Sequence, residues 1–227
     1  MPALPAFDPR QVPVTGIDAH LPAVPVHALT AAAIRARSAQ SIAWTPEFSK
    51  EVRFSDRPPT LAAVLVPLVE QPDGLTVLLT QRTTHLNSHS GQIAFPGGKV
   101  DPHDRDAADT ALREAQEEVG LDPAQAEVLG TLPEYATGSG FIVTPVLALV
   151  SPQVALVPNP HEVADVFEVP LAFLMNPAHH RHHVVEWAGQ KRHWMSMPYQ
   201  QDAHERFIWG ATAAMLRNLY AFLAQPD

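Results

Sequence analysis

The sequence predicts an α/β fold in which helices cover a mixed β-sheet. Apolar segments typical of strands are interspersed along the chain with segments of helical periodicity, as expected for a sheet flanked by helices. Two of the apolar segments, 62–66 and 75–79, flank a Pro-Asp-Gly sequence, which predicts a β-hairpin. The amphipathic pattern of residues 106–119 predicts a helix that packs one apolar stripe against this sheet.

The remaining elements follow from the same patterns. Helices are predicted at 27–40, 106–119 and 208–223, and further strands at 126–132, 141–150, 167–171 and 184–187. The second of these helices has clear boundaries, because Asp104 or Asp106 is suited to be its N-cap and Gly120 to end it.

Six prolines fall within the first 25 residues. Because proline fixes φ and lacks an N–H donor, we expect residues 1–25 to form an extended arm. Residues 26–227 are expected to form one domain, a length that suits a single hydrophobic core.

Composition excludes several classes of function. The chain has no cysteine, so disulfides, zinc–thiolate sites and cysteine catalysis are excluded. Its net charge of −9 disfavours binding to a nucleic-acid backbone, which requires Lys and Arg to neutralise phosphates. No apolar run reaches membrane-spanning length and no secretory signal is evident, so we expect a cytoplasmic protein without a membrane partner. The sequence makes no prediction of oligomeric state.

Three glutamates, Glu114, Glu117 and Glu118, share one face of the helix predicted at 106–119. Like charges at this spacing repel, and a hard divalent cation such as Mg²⁺ would offset the cost. A solvated charged face is the alternative interpretation of such a cluster.

The region around these glutamates resembles the Nudix box of the Nudix hydrolase superfamily. The box runs from Gly98 to the sequence Arg-Glu-Ala-Gln-Glu-Glu-Val-Gly-Leu at residues 113–121. Two departures concern one position: the acidic residue after Gly98 is Asp104 rather than Glu, and eight residues instead of seven separate it from Arg113. Without the downstream match, Gly97 and Gly98 would indicate only a strand-to-helix turn.

A second motif lies upstream and resembles the one that marks the coenzyme A pyrophosphatase branch of this superfamily. It begins with Leu-Leu-Thr-Gln-Arg-Thr at residues 78–83 and ends with Phe-Pro-Gly-Gly at residues 95–98. Thr83 replaces the serine of the pattern and Asn87 replaces an arginine, whereas Gly91 matches. Similar sequences continue after the box as far as residue 223.

These resemblances imply a curved mixed sheet between helices and a metal-dependent hydrolase that cleaves the pyrophosphate of coenzyme A or its thioesters. They imply Glu114 and Glu118 as the principal ligands of Mg²⁺ or Mn²⁺, with Glu117 as a third. Arg113 is expected to orient a glutamate through a charge-assisted pair. Arg82, Gly97 and Gly98 are expected to contact or frame phosphate, although Arg82 alone would also suit a surface salt bridge.

Several alternatives stay open. The general base is one of the box carboxylates or one on a later segment. Glu162 and Glu168 are candidates for the base or for a further metal ligand, although each alone is more typical of an ordinary loop or strand-end carboxylate. The substrate is alternatively a nucleotide sugar, NADH or a dinucleotide, an option that Asn87 keeps open. A non-catalytic nucleotide sensor is disfavoured because the chain keeps three box carboxylates.

The histidine-rich sequence at residues 179–183 suggests metal binding, but adjacent histidines rarely converge on one ion, and we expect a solvated surface loop instead. Trp187, Trp194 and Tyr199 are able to stack on an adenine and are more typical of core or rim positions.

Overall fold

The structure is a computed structural model that describes residues 8–40, 42–55, 58–83, 91–187 and 189–225. Asn87 and the side chain of Trp187 lie outside this described part. The helices are α1 (Ala31–Ser38), α2 (Ala107–Val119), α3 (Leu171–Leu174) and α4 (Gly210–Leu223). The strands are β1 (Val14–Ile17), β2 (Thr60–Gln71), β3 (Gly74–Arg82), β4 (Ile93–Ala94), β5 (Gly97–Lys99), β6 (Ala126–Thr131), β7 (Tyr135–Ala136), β8 (Phe141–Val150), β9 (Val163–Pro170), β10 (Arg181–Trp187), β11 (Gln190–Gln201) and β12 (His204–Trp209).

The larger sheet is mixed, as the sequence predicts. Its main path has the order β4-β3-β2-β8-β6, and β5, β7 and β9 pair with β2, β8 and β3 respectively. The hairpin of β2 and β3 forms at the predicted turn, with Gln71 opposite Gly74. β2 and β8 pair in parallel over ten positions, whereas the other strand pairs are antiparallel.

Helices cover both faces of the larger sheet. On one face, α2 buries Ala111, Ala115 and Val119 completely in a core that it shares with Leu65 and Ala148. On the other face, α4 lies in the main core, and twelve of its residues are buried. A helix that is buried on all sides has to be apolar on most of its surface, which explains why the apolar pattern of α4 extends beyond one stripe.

A second sheet with the order β1-β10-β11-β12 packs on α4. Its edge strand β1 belongs to the proline-rich segment and pairs antiparallel with β10. Asp18, just after β1, forms an ion pair with Arg217 of α4, and its Oδ2 lies 3.1 Å from Nη1 of the arginine. The N-terminal arm therefore contributes one strand, β1, to this sheet. The division of the chain at residue 25 stays a prediction.

The structure corrects several predicted boundaries. The helix predicted at 27–40 is limited to Ala31–Ser38, because Thr30 caps it by accepting a bond from the Ala33 N–H, and Val26–Ala28 form a 3-10 turn before it. The last helix begins at Gly210, since Ile208 belongs to β12. The strand predicted at 167–171 extends over Val163–Pro170.

The solvated loop predicted at residues 179–183 is wrong. Three of these residues begin β10, and His180 and His183 are buried. His180 shares hydrogen bonds with the Leu174 carbonyl at 2.7 Å and Arg217 at 3.0 Å, and burial lowers its pKa to about 4. His183 contacts the Ser196 hydroxyl at 2.8 Å and stacks on Trp194. These partners give the histidines structural roles.

None of the helices within the described part of the chain is long and apolar enough to cross a membrane.

Candidate active site

The candidate site forms where α2 passes the ends of β3 and β5. Asp106 caps α2 by accepting a 2.9 Å hydrogen bond from the Asp109 N–H, and the helix ends before Gly120, as predicted. Because its alanine stripe faces the sheet, the glutamates of the last two turns lie along the border of the buried face. They consequently differ in exposure: Glu118 is 3 % exposed, whereas the side chain of Glu117 is 58 % exposed.

Glu118 is a buried carboxylate with few partners. Its Oε2 accepts a 3.1 Å hydrogen bond from the Gly97 N–H, and its Oε1 lies 3.4 Å from Nη1 of Arg82. Burial raises the pKa of Glu118 to about 7; the Gly97 bond and Arg82 oppose this shift, whereas the charges of Glu114 and Glu162 add to it. A nearby cation would stabilise this carboxylate more than its present partners do.

Glu114 lies one turn earlier and packs against the backbone of Gly98. Its Oε1 accepts a 2.9 Å hydrogen bond from Nη1 of Arg113. Burial raises the pKa of Glu114 above its ordinary value, and Arg113 opposes that shift. A Cβ atom on Gly98 would overlap the Glu114 carboxylate, and one on Gly97 would overlap the Ala63 carbonyl and Val64. The two glycines therefore allow β5 to lie against both β2 and the acidic helix.

Arg113 is held by a carboxylate outside the helix. Asp104 accepts bonds from Nε and Nη2 of Arg113, both at 2.9 Å, while the Lys99 carbonyl accepts another at 3.0 Å. Asp104 also accepts bonds from the Asp101 N–H and the Thr110 hydroxyl, both at 2.8 Å. The pKa of Asp104 is lowered well below its usual range, first by the Arg113 hydrogen bonds, and the pKa of Arg113 is raised in turn.

The Asp104 contacts explain how the box tolerates its inserted residue. The turn from Asp101 to Asp104 brings this shorter carboxylate to the guanidinium of Arg113. Sequence spacing alone left the partner of Arg113 undefined. The sequence signal that would have identified this partner is the acidic residue nearest to the glutamate position of the Nudix box, which is Asp104.

A loop before β9 brings a fourth carboxylate toward Glu114 and Glu118. The Asn159 N–H donates to the Glu118 carbonyl at 2.8 Å, and the Asn159 side-chain amide donates to Glu162 at 3.3 Å. The Thr83 N–H donates to the Glu162 carbonyl at 3.0 Å. Burial is the main cause of the raised pKa of Glu114 and of Glu118, and the charge of Glu162 adds to it in both cases.

Glu168 is engaged elsewhere. Its carboxylate accepts bonds from the Thr76 hydroxyl and the Gln71 amide, and its backbone lies opposite Leu78, further along β3 from Arg82. Of the two later carboxylates in the sequence, only Glu162 is directed toward the acidic helix.

A hard divalent cation would suit the carboxylate oxygens of this site better than their present hydrogen-bond partners do. Glu114, Glu118 and Glu162 offer oxygen ligands, and because burial raises the pKa of the first two, a bound cation would stabilise their charged forms. Glu117 turns toward Arg113, whose Nη1 lies 3.3 Å from its Oε2. Within the described ranges, no group of three or more His, Asp or Glu side chains already stands as a metal site.

Comparison with known proteins identifies the family. The NUDIX domain family matches residues 59–203 of the chain. The uncharacterized Nudix hydrolase NudL of Pectobacterium atrosepticum is 45 % identical over 161 residues, covering 70 % of this chain and 80 % of that protein. NudL of Escherichia coli K12 is 43 % identical over 160 residues, with the same coverage of 70 % and 80 %. The chain belongs to the Nudix family.

Among solved structures, the chain matches the Nudix hydrolase RenU of M. smegmatis at 28 % identity and a TM-score of 0.44, over 53 % of this chain and 79 % of that one. Membership of the Nudix family confirms the predicted fold and the predicted enzyme class, a Nudix hydrolase. Nudix hydrolases use divalent metal ions and act on small molecules, in agreement with the coarser predictions of cofactor and partner. The roles predicted for individual residues stay predictions.

Proposed function

We propose that this Nudix hydrolase cleaves the pyrophosphate of coenzyme A or its thioesters, giving 4′-phosphopantetheine or its acyl form and adenosine 3′,5′-bisphosphate. The observation that carries the proposal is the contact between Arg82 and Glu118. Arg82 belongs to the upstream motif that resembles the coenzyme A branch, and Glu118 belongs to the Nudix box. Both motifs therefore contribute to a single site.

We assign Glu114 and Glu118 as the principal metal ligands, with Glu117 as a third. When bound, Mg²⁺ or Mn²⁺ would neutralise charge on the pyrophosphate and lower the pKa of a water molecule. Arg113, fixed by Asp104, holds Glu114 in place through the 2.9 Å bond. A guanidinium clamped on both sides in this way restricts the rotamers of the carboxylate it contacts.

The remaining residues act on the substrate and the attacking water. Arg82 is exposed enough, at 27 % of its side chain, to turn from Glu118 toward a phosphate oxygen when a cation compensates Glu118. Gly97 and Gly98 let the backbone of β5 approach the pyrophosphate. Glu162 is our candidate for the general base, because it is a carboxylate beside the acidic helix that does not belong to the helix itself.

The test is a substrate panel with purified protein and Mg²⁺ or Mn²⁺. Coenzyme A, acetyl-coenzyme A, ADP-ribose, NADH and a nucleotide sugar are incubated in parallel, and products are separated by chromatography. Release of adenosine 3′,5′-bisphosphate from coenzyme A at a rate well above the other substrates supports the proposal. Turnover of NADH or ADP-ribose without cleavage of coenzyme A would overturn it and support the general nucleoside-diphosphate hydrolase instead.

Two controls identify the site responsible. Glu118→Gln should abolish cleavage of every substrate, since it removes a ligand charge without changing size. Full activity of this variant would show that the acidic helix is not the catalytic site. Glu168→Gln is the control, because Glu168 is a half-buried carboxylate of the same domain that binds Thr76 and Gln71 instead.

The cytoplasmic location and the separate role of residues 1–25 remain predictions from the sequence.

A further inference from the structure

Strand β9 contains a β-bulge opposite the end of β3, beside Arg82. Gln81 lies opposite Asp165 of β9, but the next residue, Arg82, lies opposite Val163, so Ala164 is an extra residue on β9. Successive side chains of a strand point to opposite faces. Arg82 faces α2, where it meets Glu118, and Gln81 faces the second sheet. A bulge re-aims neighbouring side chains, so the geometry at Gln81 sets the direction of Arg82.

Arg206 of β12 binds both residues of the cross-strand pair next to the bulge, Gln81 and Asp165. Its Nη2 lies 2.6 Å from a carboxylate oxygen of Asp165, and its Nη1 donates to Oε1 of Gln81 at 3.2 Å. Its Nε donates to Gln201 at 3.0 Å, and its guanidinium stacks on Phe167, 4.1 Å from the ring centroid. The side chain is 15 % exposed, so these contacts fix its position.

We propose that Arg206 is a positioning residue for Arg82, through which the second sheet aligns the active site. By joining Gln81 to Asp165, the guanidinium fixes β3 and β9 to each other at the pair next to the bulge. Arg82 then leaves β3 on the α2 side, within 3.4 Å of Glu118. The kinetic part of this inference rests on the proposed function, and the structural part does not.

The chemistry of the contact requires arginine. A planar guanidinium donates to Gln81, Asp165 and Gln201 in three directions while its face covers Phe167. Lysine has one nitrogen at the end of a flexible chain and fails to join these acceptors simultaneously. Arg206→Lys should therefore resemble Arg206→Met in its effect.

The control is Arg10, which like Arg206 lies near a carboxylate and stacks on a phenylalanine ring. It lies 3.8 Å from Glu205 and stacks over Phe207 at 5.2 Å, and both of these residues belong to β12. Arg10→Met thus removes an arginine that packs on the second sheet and leaves the contacts of Arg206 with Gln81 and Asp165 in place. A loss of activity caused merely by a weaker second sheet would appear in both variants.

The first experiment measures kcat and KM with coenzyme A or the best substrate of the panel. Arg206→Met should lower kcat/KM by about 10- to 100-fold, the range seen when a residue that orients a functional side chain is lost. Arg10→Met should leave it within about twofold. In an Arg82→Lys background, Arg206→Met should cost less than about threefold, because its effect acts through Arg82. Equal losses in both backgrounds would overturn the inference.

The second experiment requires no substrate, so it separates failure of this inference from failure of the proposed function. The side-chain Nε–H signal of Arg82 is identified in ¹⁵N–¹H spectra by its loss in Arg82→Lys. This signal should shift or broaden in Arg206→Met and stay unchanged in Arg10→Met. An unchanged Arg82 signal in folded Arg206→Met protein would overturn the positioning role.

Discussion

Asp104 holds the guanidinium of Arg113 through two parallel N–H···O bonds, each 2.9 Å long. The same guanidinium contacts the carboxylates of Glu114 and Glu117. Asp104, which precedes α2, therefore orients the arginine that contacts two glutamates of this helix. Bidentate pairs of this kind are strong and directional. The acidic position of the box thus orients the arginine even though it is shifted by one residue and shortened by one methylene.

We expect Asp104→Asn to lower kcat by about 10- to 100-fold, because the amide removes the charge and one acceptor from Arg113. Steady-state kinetics with the preferred substrate measure the effect. Asp101→Asn is the matched control, since the Asp101 side chain accepts a local bond from the His103 N–H, whereas Arg113 donates to Asp104. Equal kinetics for Asp104→Asn and wild type would contradict an orienting role for Asp104.

Gly98→Ala should inactivate the enzyme while the fold survives. The added methyl group overlaps the Glu114 carboxylate. The carboxylate has to move, because β5 is paired with the backbone of β2 and is not free to shift. Activity and far-UV circular dichroism are measured together, and we expect kcat to fall by at least about tenfold with an unchanged spectrum. Gly16→Ala provides the comparison, because the nearest atom to its Cβ is 3.9 Å away. Comparable activity in both variants would refute the close-packing argument.

Glu118→Gln should stabilise the metal-free protein at alkaline pH. The pKa of Glu118 is about 7 in the folded state against an ordinary value of 4.5, so between these pH values the folded state retains a proton that the unfolded state releases. Stability is therefore lost as pH rises through this window. Without the ionisable group, Tm at pH 8 in EDTA should increase by about 2 to 6 °C, and near pH 4 the two proteins should agree.

Thermal melts at both pH values test this relation. Glu117→Gln is a suitable control, since that side chain is 58 % exposed and stays hydrated in the folded state. A Glu118→Gln protein that melts below wild type at pH 8 would show that the carboxylate is better compensated than its few partners indicate.

Mn²⁺ should raise the Tm of the wild-type protein, and the glutamates should differ in their share of that shift. At 100 times Kd, a ligand that binds only the folded state contributes about 2.7 kcal/mol, or roughly 5 to 10 °C for a domain of this size. Glu114→Gln and Glu118→Gln should remove most of the shift. Glu117→Gln should keep part of it, because Glu117 is directed toward Arg113. The three variants losing the shift equally would make Glu117 a full ligand.

The acidic helix was predictable because its signals are local. The Asp106 cap, the buried alanine stripe and the stop at Gly120 all lie within fifteen residues of one another. The beginning of α4 was not predictable in this way. Ile208 is apolar and buried at the end of β12, and the first turn of a buried helix would show the same character. Periodicity does not distinguish the last residue of a buried strand from the first turn of a buried helix.

Features that depend on distant partners escaped the sequence. His180 is buried because Arg217, 37 residues away, donates to it, and His183 is buried against Ser196 of the neighbouring strand. Five consecutive polar residues therefore look like a loop until the strand pairing is known. The sequence names Glu162 together with Glu168 as a candidate, but it does not distinguish them, because the place of Glu162 depends on the Asn159 N–H bond to the Glu118 carbonyl.

The pairing of β1 with β10 also imposes an order on biosynthesis. The Thr15 hydroxyl donates to the carbonyl of His182, 167 residues later in the chain. At typical ribosomal speeds, β1 waits roughly 10 to 30 seconds for its partner strand. The larger sheet has received its last strand, β9, by Pro170, before β10 begins at Arg181. The nascent enzyme thus has the strands of its catalytic sheet while Val14 and Ile17 are still unpaired, so a chaperone that shields this N-terminal segment during translation would protect the folding intermediate.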